Sequence, residues 1–70
     1  MSGSPRTGTV ATFDEHVGLG EITADDGSTV AFQCIGIADG SRTIAVDTPV
    51  TFELIPKLGR YEATAITQRA

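Results

Sequence analysis

The chain contains few of the side chains that carry out catalysis or bind metal ions. It has one histidine, His16, and one cysteine, Cys34, which are fewer than the three or four ligands of a zinc site. Gly18-Leu19-Gly20 precedes a strand pattern rather than a helix, so it does not predict a phosphate-binding loop. No nucleophile lies beside a base in the sequence. We therefore predict that the protein is not an enzyme and uses no metal or cofactor.

Two turn signals divide the first half of the chain. The segment from Asp14 to Gly18 is rich in residues that tolerate tight backbone geometry, and Asp26-Gly27 is a strong hairpin signal. Strand patterns occupy residues 7–13 before these turns, 19–23 between them and 30–33 after them. Three strands joined by two turns predict an antiparallel meander.

The second half of the chain predicts two more strands. The pattern at 50–54 alternates cleanly, and Pro49 suits the start of that strand as Pro56 suits its end. A turn at 57–60 leads to a last strand at 61–67. The side chains expected on the buried face of the fourth strand are Val50, Phe52 and Leu54. The candidates for packing on the fifth strand are Ala63, Ala65 and Ile66.

The remaining segments connect or precede these strands. Residues 1–6 are small and polar with one proline, which predicts a disordered arm. Gly8 inside the first strand indicates a bulge or a close approach of another strand. Residues 35–38 leave the sheet with the length of one helical turn, and 39–43 have the composition of a loop. Five short strands with regular turn signals predict an all-β barrel or sandwich.

The composition describes one small acidic domain. The 70 residues include five basic and nine acidic side chains, and the net charge of −4 opposes a polyanion at long range. A single cysteine excludes an internal disulfide and favours a reducing compartment. No apolar run approaches the length of a membrane span or a signal-peptide core. We therefore expect a soluble, cytoplasmic protein that does not bind membranes.

Several motifs occur in an order that is typical of one known family. Gly8-Thr9-Val10, then Phe13, then Gly18-Leu19-Gly20-Glu21-Ile22 resembles the opening G-x-V-K-W-F-N-x-x-K-G-F-G-F-I of the bacterial cold-shock domain. The segment 30–34 falls on the family's V-F-V-H-F, and Arg42-Thr43-Ile44 resembles its R-[ST]-L. The resemblance implies a small five-stranded antiparallel OB-type β-barrel over residues 7–68. It also implies binding of single-stranded RNA or DNA on one sheet face.

The resemblance is stronger in the core than on the binding face. The positions where the family is apolar and buried hold Val10, Ile22, Val30, Ile37, Val50 and Phe52. On the face, the stacking tryptophan is replaced by Thr12, and two phenylalanines are replaced by Leu19 and Glu21. Ala31 and Gln33 stand for a further phenylalanine and a histidine. Each lost stacking contact is worth about 1–3 kcal/mol per base, and Glu21 would repel phosphates.

Seven residues remain as candidates for contact with nucleic acid. Phe13 and Leu19 are a candidate stacking pair, Gln33 a partner for base edges, and Tyr61 a further stacking ring. The candidate phosphate contacts are Arg42, Lys57 and Arg60, with Arg69 as a fourth member of a basic rim. Each has a plainer interpretation. Phe13 and Leu19 would be a hydrophobic pair that closes the first hairpin, and Gln33 would be a solvated side chain. The basic residues would be scattered surface charge, and Tyr61 would cover the barrel end.

Two functions follow from these residues. The first is weak, poorly sequence-selective binding of single-stranded RNA or DNA. The second is an OB-type module that has lost nucleic-acid binding and uses the altered face to bind a protein or a second copy as a homodimer. The apolar residues expected on that face are Val17, Leu19, Ala31 and Cys34. Basic residues beside Phe13 would support the first function, whereas dominance of the face by Asp14 and Glu21 would count against it.

Overall fold

A computed structural model shows a closed five-stranded β-barrel with the strand order β1-β2-β3-β5-β4. It describes residues 5–38, 40 and 43–69, apart from the side chain of Lys57. The strands are β1 (Arg6–Asp14), β2 (Leu19–Ala24), β3 (Thr29–Gln33), β4 (Pro49–Lys57) and β5 (Arg60–Gln68). A short 3₁₀ helix, Cys34–Gly36, follows β3. The predicted all-β fold and OB-type barrel are confirmed.

The barrel closes through one parallel strand pair, between β3 and β5. Every other neighbouring pair is antiparallel, as the sequence predicts. Strand direction reverses at each antiparallel pair, so an odd number of strands cannot alternate all the way round a closed ring. A five-stranded barrel must therefore contain a parallel pair, and the β3–β5 pair sets Ala31 beside Glu62.

The core is a single apolar cluster inside the barrel. Its buried members are Val10, Ile22, Ala24, Val30, Phe32, Ile37, Ile44, Val50, Phe52, Ala63 and Ile66. All six core positions carried over from the family resemblance are among them. Leu54 is only partly buried and packs against this cluster. Of the three packing candidates on β5, Ala63 and Ile66 are buried and Ala65 is exposed.

Two bulges change the direction in which side chains point. In the β1–β2 pair, Val10 is opposite Ile22 and Thr12 is opposite Glu21, which leaves Ala11 as an extra residue in β1. In the β4–β5 pair, the extra residue lies in β5 around Ala65, whose φ of +52° places it in the left-handed region. A bulge shifts the alternation by one residue, so side chains beyond it exchange faces.

Pro49 begins β4 and Pro56 lies one residue before its end, as the sequence predicts. Pro56 is paired with Tyr61, and the strand continues to Lys57. Among the described residues, β1 pairs with β4 only as far as Phe52, so beyond that point their ladders give β4 a neighbour on one side. Proline is tolerated at such an edge position, because no second neighbouring strand needs a hydrogen bond from the N–H that proline lacks. The turn is correspondingly tighter than predicted, with only Leu58 and Gly59 between the paired residues of the hairpin.

The other connections agree with the sequence patterns. The backbone N–H of Gly18 donates to the carbonyl of Asp14 across the first turn, at 2.8 Å. Gly8 is a point of close approach, because a Cβ there would lie 2.6 Å from the carbonyl oxygen of Thr23. Of the predicted arm, Arg6 already belongs to β1, and residues 1–4 lie outside the described part of the chain. None of the described helices is long and apolar enough to cross a membrane.

The second turn makes stability depend on pH at one exposed carboxylate. Asp26 Oδ1 accepts hydrogen bonds from the Ser28 hydroxyl and backbone N–H, which hold the pKa of Asp26 below its ordinary value of 3.8. A pKa that is lower in the folded state adds stability above the unfolded pKa, and this is lost as the pH falls through the folded value. We expect urea midpoints to fall less steeply below pH 3.8 in Asp26→Asn than in the parent. Parallel pH curves for the two chains would contradict this.

Candidate ligand-binding face

Eight residues form one outward-facing surface of the barrel, which we call the acidic face. They are Thr12, Asp14, Val17, Leu19, Glu21, Ala31, Gln33 and Glu62, and they line a shallow depression of about 410 Å³. The strand registers arrange them in two rows across the sheet. The first row is Thr12, Glu21, Ala31 and Glu62, and the second is Asp14, Leu19 and Gln33. Side chains in neighbouring positions of such a row lie about 4.5–5.5 Å apart at Cβ.

The charge of this face is negative. Asp14, Glu21 and Glu62 supply three carboxylates, and no cationic side chain lies among the described residues that line the depression. Apolar Leu19 and Val17 lie on the same face as these carboxylates and are 51% and 63% exposed, so the face also has an apolar part. The sequence led us to expect that dominance of this face by Asp14 and Glu21 would count against nucleic-acid binding, and acidic residues do dominate it.

Gln33 is already engaged on the acidic face. Its side-chain Nε2 donates a hydrogen bond of 3.5 Å to Oε1 of Glu62 on the neighbouring strand β5. This bond uses one of the two amide N–H donors and leaves the second N–H and the carbonyl oxygen for a ligand. The structure therefore places Gln33 beside Leu19, as the sequence suggests, but also couples it to a carboxylate that the sequence gives no reason to place there.

Phe13 belongs to the inner side of the sheet. The bulge at Ala11 reverses the alternation of β1, so Phe13 pairs with Gly20 and packs partly against the core. Its ring stacks on Phe32, with centroids 5.8 Å apart and planes 8° from parallel. Its accessible edge faces a second depression, of about 370 Å³, beside residues 43–46. Phe13 and Leu19 therefore do not form one stacking surface.

Gly20, a buried position between exposed Leu19 and Glu21 of β2, allows this arrangement. A Cβ at this position would lie 2.5 Å from the carbonyl oxygen of Thr12 and 2.7 Å from Cζ of Phe32. The absence of a side chain lets the Phe32 ring fill the space directly below the acidic face. Since Phe32 is only 1% exposed, it supports the face from beneath without offering a stacking surface to a ligand.

The basic residues do not converge on the acidic face. Arg60 lies at the β4–β5 hairpin, whereas Arg69 follows the other end of β5 and donates its backbone N–H to Pro49. Nine residue steps along a strand separate these two positions by roughly 30 Å. Lys57 is paired with Arg60 at the hairpin, and Arg42 lies outside the described residues. The described part of the chain thus contains no continuous basic rim beside Phe13.

Tyr61 lies on the same hairpin as Arg60. Its ring is 64% exposed and lines a small depression with Pro56, Gly59 and Arg60. This depression is separate from the acidic face, so Tyr61 is not part of one surface with Leu19 and Gln33.

Glu62 is the residue of the face that the sequence analysis missed. It lies in the last strand, more than forty residues from Thr12 and Asp14. Only the parallel pairing of β3 with β5 brings it beside Ala31. The alternation of β5 indicates that Glu62 points away from buried Ala63, but no local signal identifies its neighbours across the sheet.

The strands and this face define the class of the protein as a small all-β domain with a closed OB-type barrel. The sequence matches no protein-family model and no curated protein. The cold-shock resemblance therefore depends on the motifs themselves. A shared fold does not establish a shared function, so function must be argued from the residues of the acidic face.

Proposed function

We propose that the protein is an OB-type protein-interaction module that binds a positively charged, partly apolar peptide segment on its acidic face. The observation that carries the proposal is the set of three carboxylates, Asp14, Glu21 and Glu62, around exposed Leu19 and Val17. Lysine or arginine side chains of a partner would lie over the carboxylates, while an apolar side chain would cover the apolar part of the face.

The same residues disfavour nucleic acid. Non-specific binding of RNA or DNA depends mainly on cations that contact phosphates and release counterions. Base stacking on aromatic rings supplies a further ~1–3 kcal/mol per base. Among the described residues that line the face, the only aromatic ring is buried Phe32 and the charged groups are carboxylates. Both contributions are thus missing where the family resemblance would place the ligand.

Single-stranded RNA or DNA is the second candidate ligand. It is favoured by the OB-type strand order together with the motifs that resemble the cold-shock domain. In this case Leu19 and Gln33 would contact bases, and the hairpin cations Lys57 and Arg60 would contact phosphates. Binding would be weak, because one leucine replaces several stacking rings.

The two ligands are separated by fluorescence anisotropy with two labelled probes. One probe is a peptide that alternates lysine and leucine, and the other is oligo-thymidine. We expect saturable, salt-sensitive binding of the peptide, weakened about two- to fivefold for each carboxylate removed in Asp14→Asn and Glu21→Gln. Glu53→Gln is the matched control, because it removes a carboxylate of β4 outside the acidic face.

A different pattern of binding would support nucleic acid as the ligand. Oligo-thymidine binding that is tighter than peptide binding, weakens in Leu19→Ser and strengthens in Glu21→Gln would establish the nucleic-acid function instead. Phe13→Ala is unsuitable as a test of a base contact, because the Phe13 ring stacks on Phe32 and its removal perturbs the core.

A further inference from the structure

The tip of the β4–β5 hairpin carries a leucine in an unfavourable place. Leu58 is 102% exposed and has a φ of +49°, followed by Gly59 with a φ of +84°. Two successive residues with positive φ are typical of a type I′ turn, where asparagine, aspartate or glycine is preferred at the first position. A side chain with a Cβ is disfavoured in the left-handed region, and full exposure means that no packing within the chain offsets this. Such a local inconsistency makes Leu58 a candidate for a functional contact.

The residues around Leu58 make the tip basic and apolar. Residues 56–61, which we call the hairpin tip, contain Lys57 and Arg60 and no acidic residue. Lys57 and Arg60 form the last cross-strand backbone pair before the turn, on either side of Leu58 and Gly59 in the sequence. Tyr61, 64% exposed, adds a ring next to them. The tip thus has the opposite charge to the chain as a whole, whose net charge is −4.

The hairpin tip and the acidic face are complementary in chemistry. The tip carries one exposed leucine in a basic stretch of sequence, and the face presents exposed Leu19 and Val17 among three carboxylates. Leu58 cannot occupy the face of its own copy, because a fully exposed side chain contacts nothing within the chain. We propose that the hairpin tip of one copy docks on the acidic face of a second copy.

The position of the tip on β5 indicates how two copies would be arranged. Arg60 is only two residues from Glu62, or about 7 Å along the strand, so the tip adjoins the edge of the acidic face. Two copies related by a twofold axis could each place a tip on the other's face, and the second contact would then form within the complex. The contact is small, so we expect a reversible dimer that forms only at high protein concentration.

The inference rests on the proposed function, because it uses the same face and identifies its partner as a second copy. Sedimentation equilibrium over a wide range of protein concentration at low salt measures the association directly. We expect a monomer–dimer equilibrium that Leu58→Asn shifts towards monomer by at least roughly tenfold, since burial of a leucine is lost. Asparagine also suits the positive φ, so the variant should be at least as stable as the parent in urea. Ile35→Asn removes an 82% exposed side chain outside the face and should leave the equilibrium unchanged.

A charge exchange tests which two surfaces meet. Arg60→Glu alone places like charges together in both contacts, and so does Glu21→Lys alone, so each variant should be more monomeric than the parent. A mixture of the two variants should form a heterodimer, because one contact has the exchanged charges and the other has the original ones. Association of the mixture no stronger than that of either variant alone would overturn the inference.

The remaining outcomes separate the inference from the proposed function. A chain that stays monomeric while its face binds the lysine–leucine peptide would overturn the inference and leave the proposed function standing. A chain that neither associates nor binds the peptide would overturn both. Dimers that persist unchanged in Leu58→Asn would locate the interface elsewhere and would also overturn the inference.

Discussion

Replacing Phe32 with alanine should unfold a large fraction of the protein at room temperature. The side chain is 1% exposed, lies in the centre of the core and stacks on Phe13. Truncation of a buried phenylalanine costs about 3–5 kcal/mol, because transfer energy is lost and a cavity remains. Small domains have unfolding free energies near the lower end of about 5–15 kcal/mol, so the loss is comparable to the whole stability. Urea unfolding followed by far-ultraviolet circular dichroism measures the change without needing tryptophan, which the chain lacks.

Two variants control this prediction. Phe32→Leu keeps most of the buried volume and should cost far less than Phe32→Ala. Phe13→Ala removes the half-buried partner ring, and a double-mutant cycle between the rings should give a coupling of about 0.5–1.5 kcal/mol. A loss below about 1 kcal/mol in Phe32→Ala would mean that this ring is not a central part of the core.

Gly20→Ala should have the second largest effect, even though it adds only a methyl group. The new Cβ would lie 2.5 Å from a backbone oxygen of Thr12 and 2.7 Å from the Phe32 ring, so β1 and the ring would both have to move. Overpacking of this kind costs about 1–3 kcal/mol and more where backbone is involved. Since Gly20 lies between Leu19 and Glu21, the shift should also alter ligand binding on the acidic face.

Gly27→Ala is the matched control for this substitution. Gly27 has a φ of +91° but no atom within 4 Å of an added Cβ, so only its backbone conformation is affected. We expect a cost of about 1 kcal/mol at Gly27 and a clearly larger one at Gly20 in the same urea titration. Equal costs at the two glycines would show that the space above the Phe32 ring is not restricted.

The two bulges explain where strict alternation departs from the structure. Strict alternation along β1 would put Thr12 inside and Phe13 outside, as the interpretation of Phe13 as a stacking ring requires. The extra residue at Ala11 reverses this and buries one face of the ring. In β5, the bulge at Ala65 turns that residue outward and keeps Ile66 inside. Alanine has no side-chain feature that requires a bulge, so neither position is marked in the sequence.

The sequence by itself determined the strands, the turns and most of the core. Alternation of apolar and polar residues, Asp26-Gly27 and the positions of the other glycines are local properties, and local backbone physics is sufficient to interpret them. Alternation puts Leu19 and Glu21 on one face, and the family resemblance adds Ala31 to it. The β2–β3 hairpin pairs Glu21 with Ala31.

Only the tertiary structure decided the charge and composition of the acidic face. Glu62 reaches it through the β3–β5 pair, which joins residues about thirty positions apart, and Asp14 reaches it because a bulge restores its outward direction. The β4–β5 hairpin extends beyond the part of β4 that pairs with β1. This extension places Arg60 far from Arg69 and leaves Leu58 exposed. Barrel closure sets these relations between distant strands, and a local pattern of residue types contains no information about which distant strands will be neighbours.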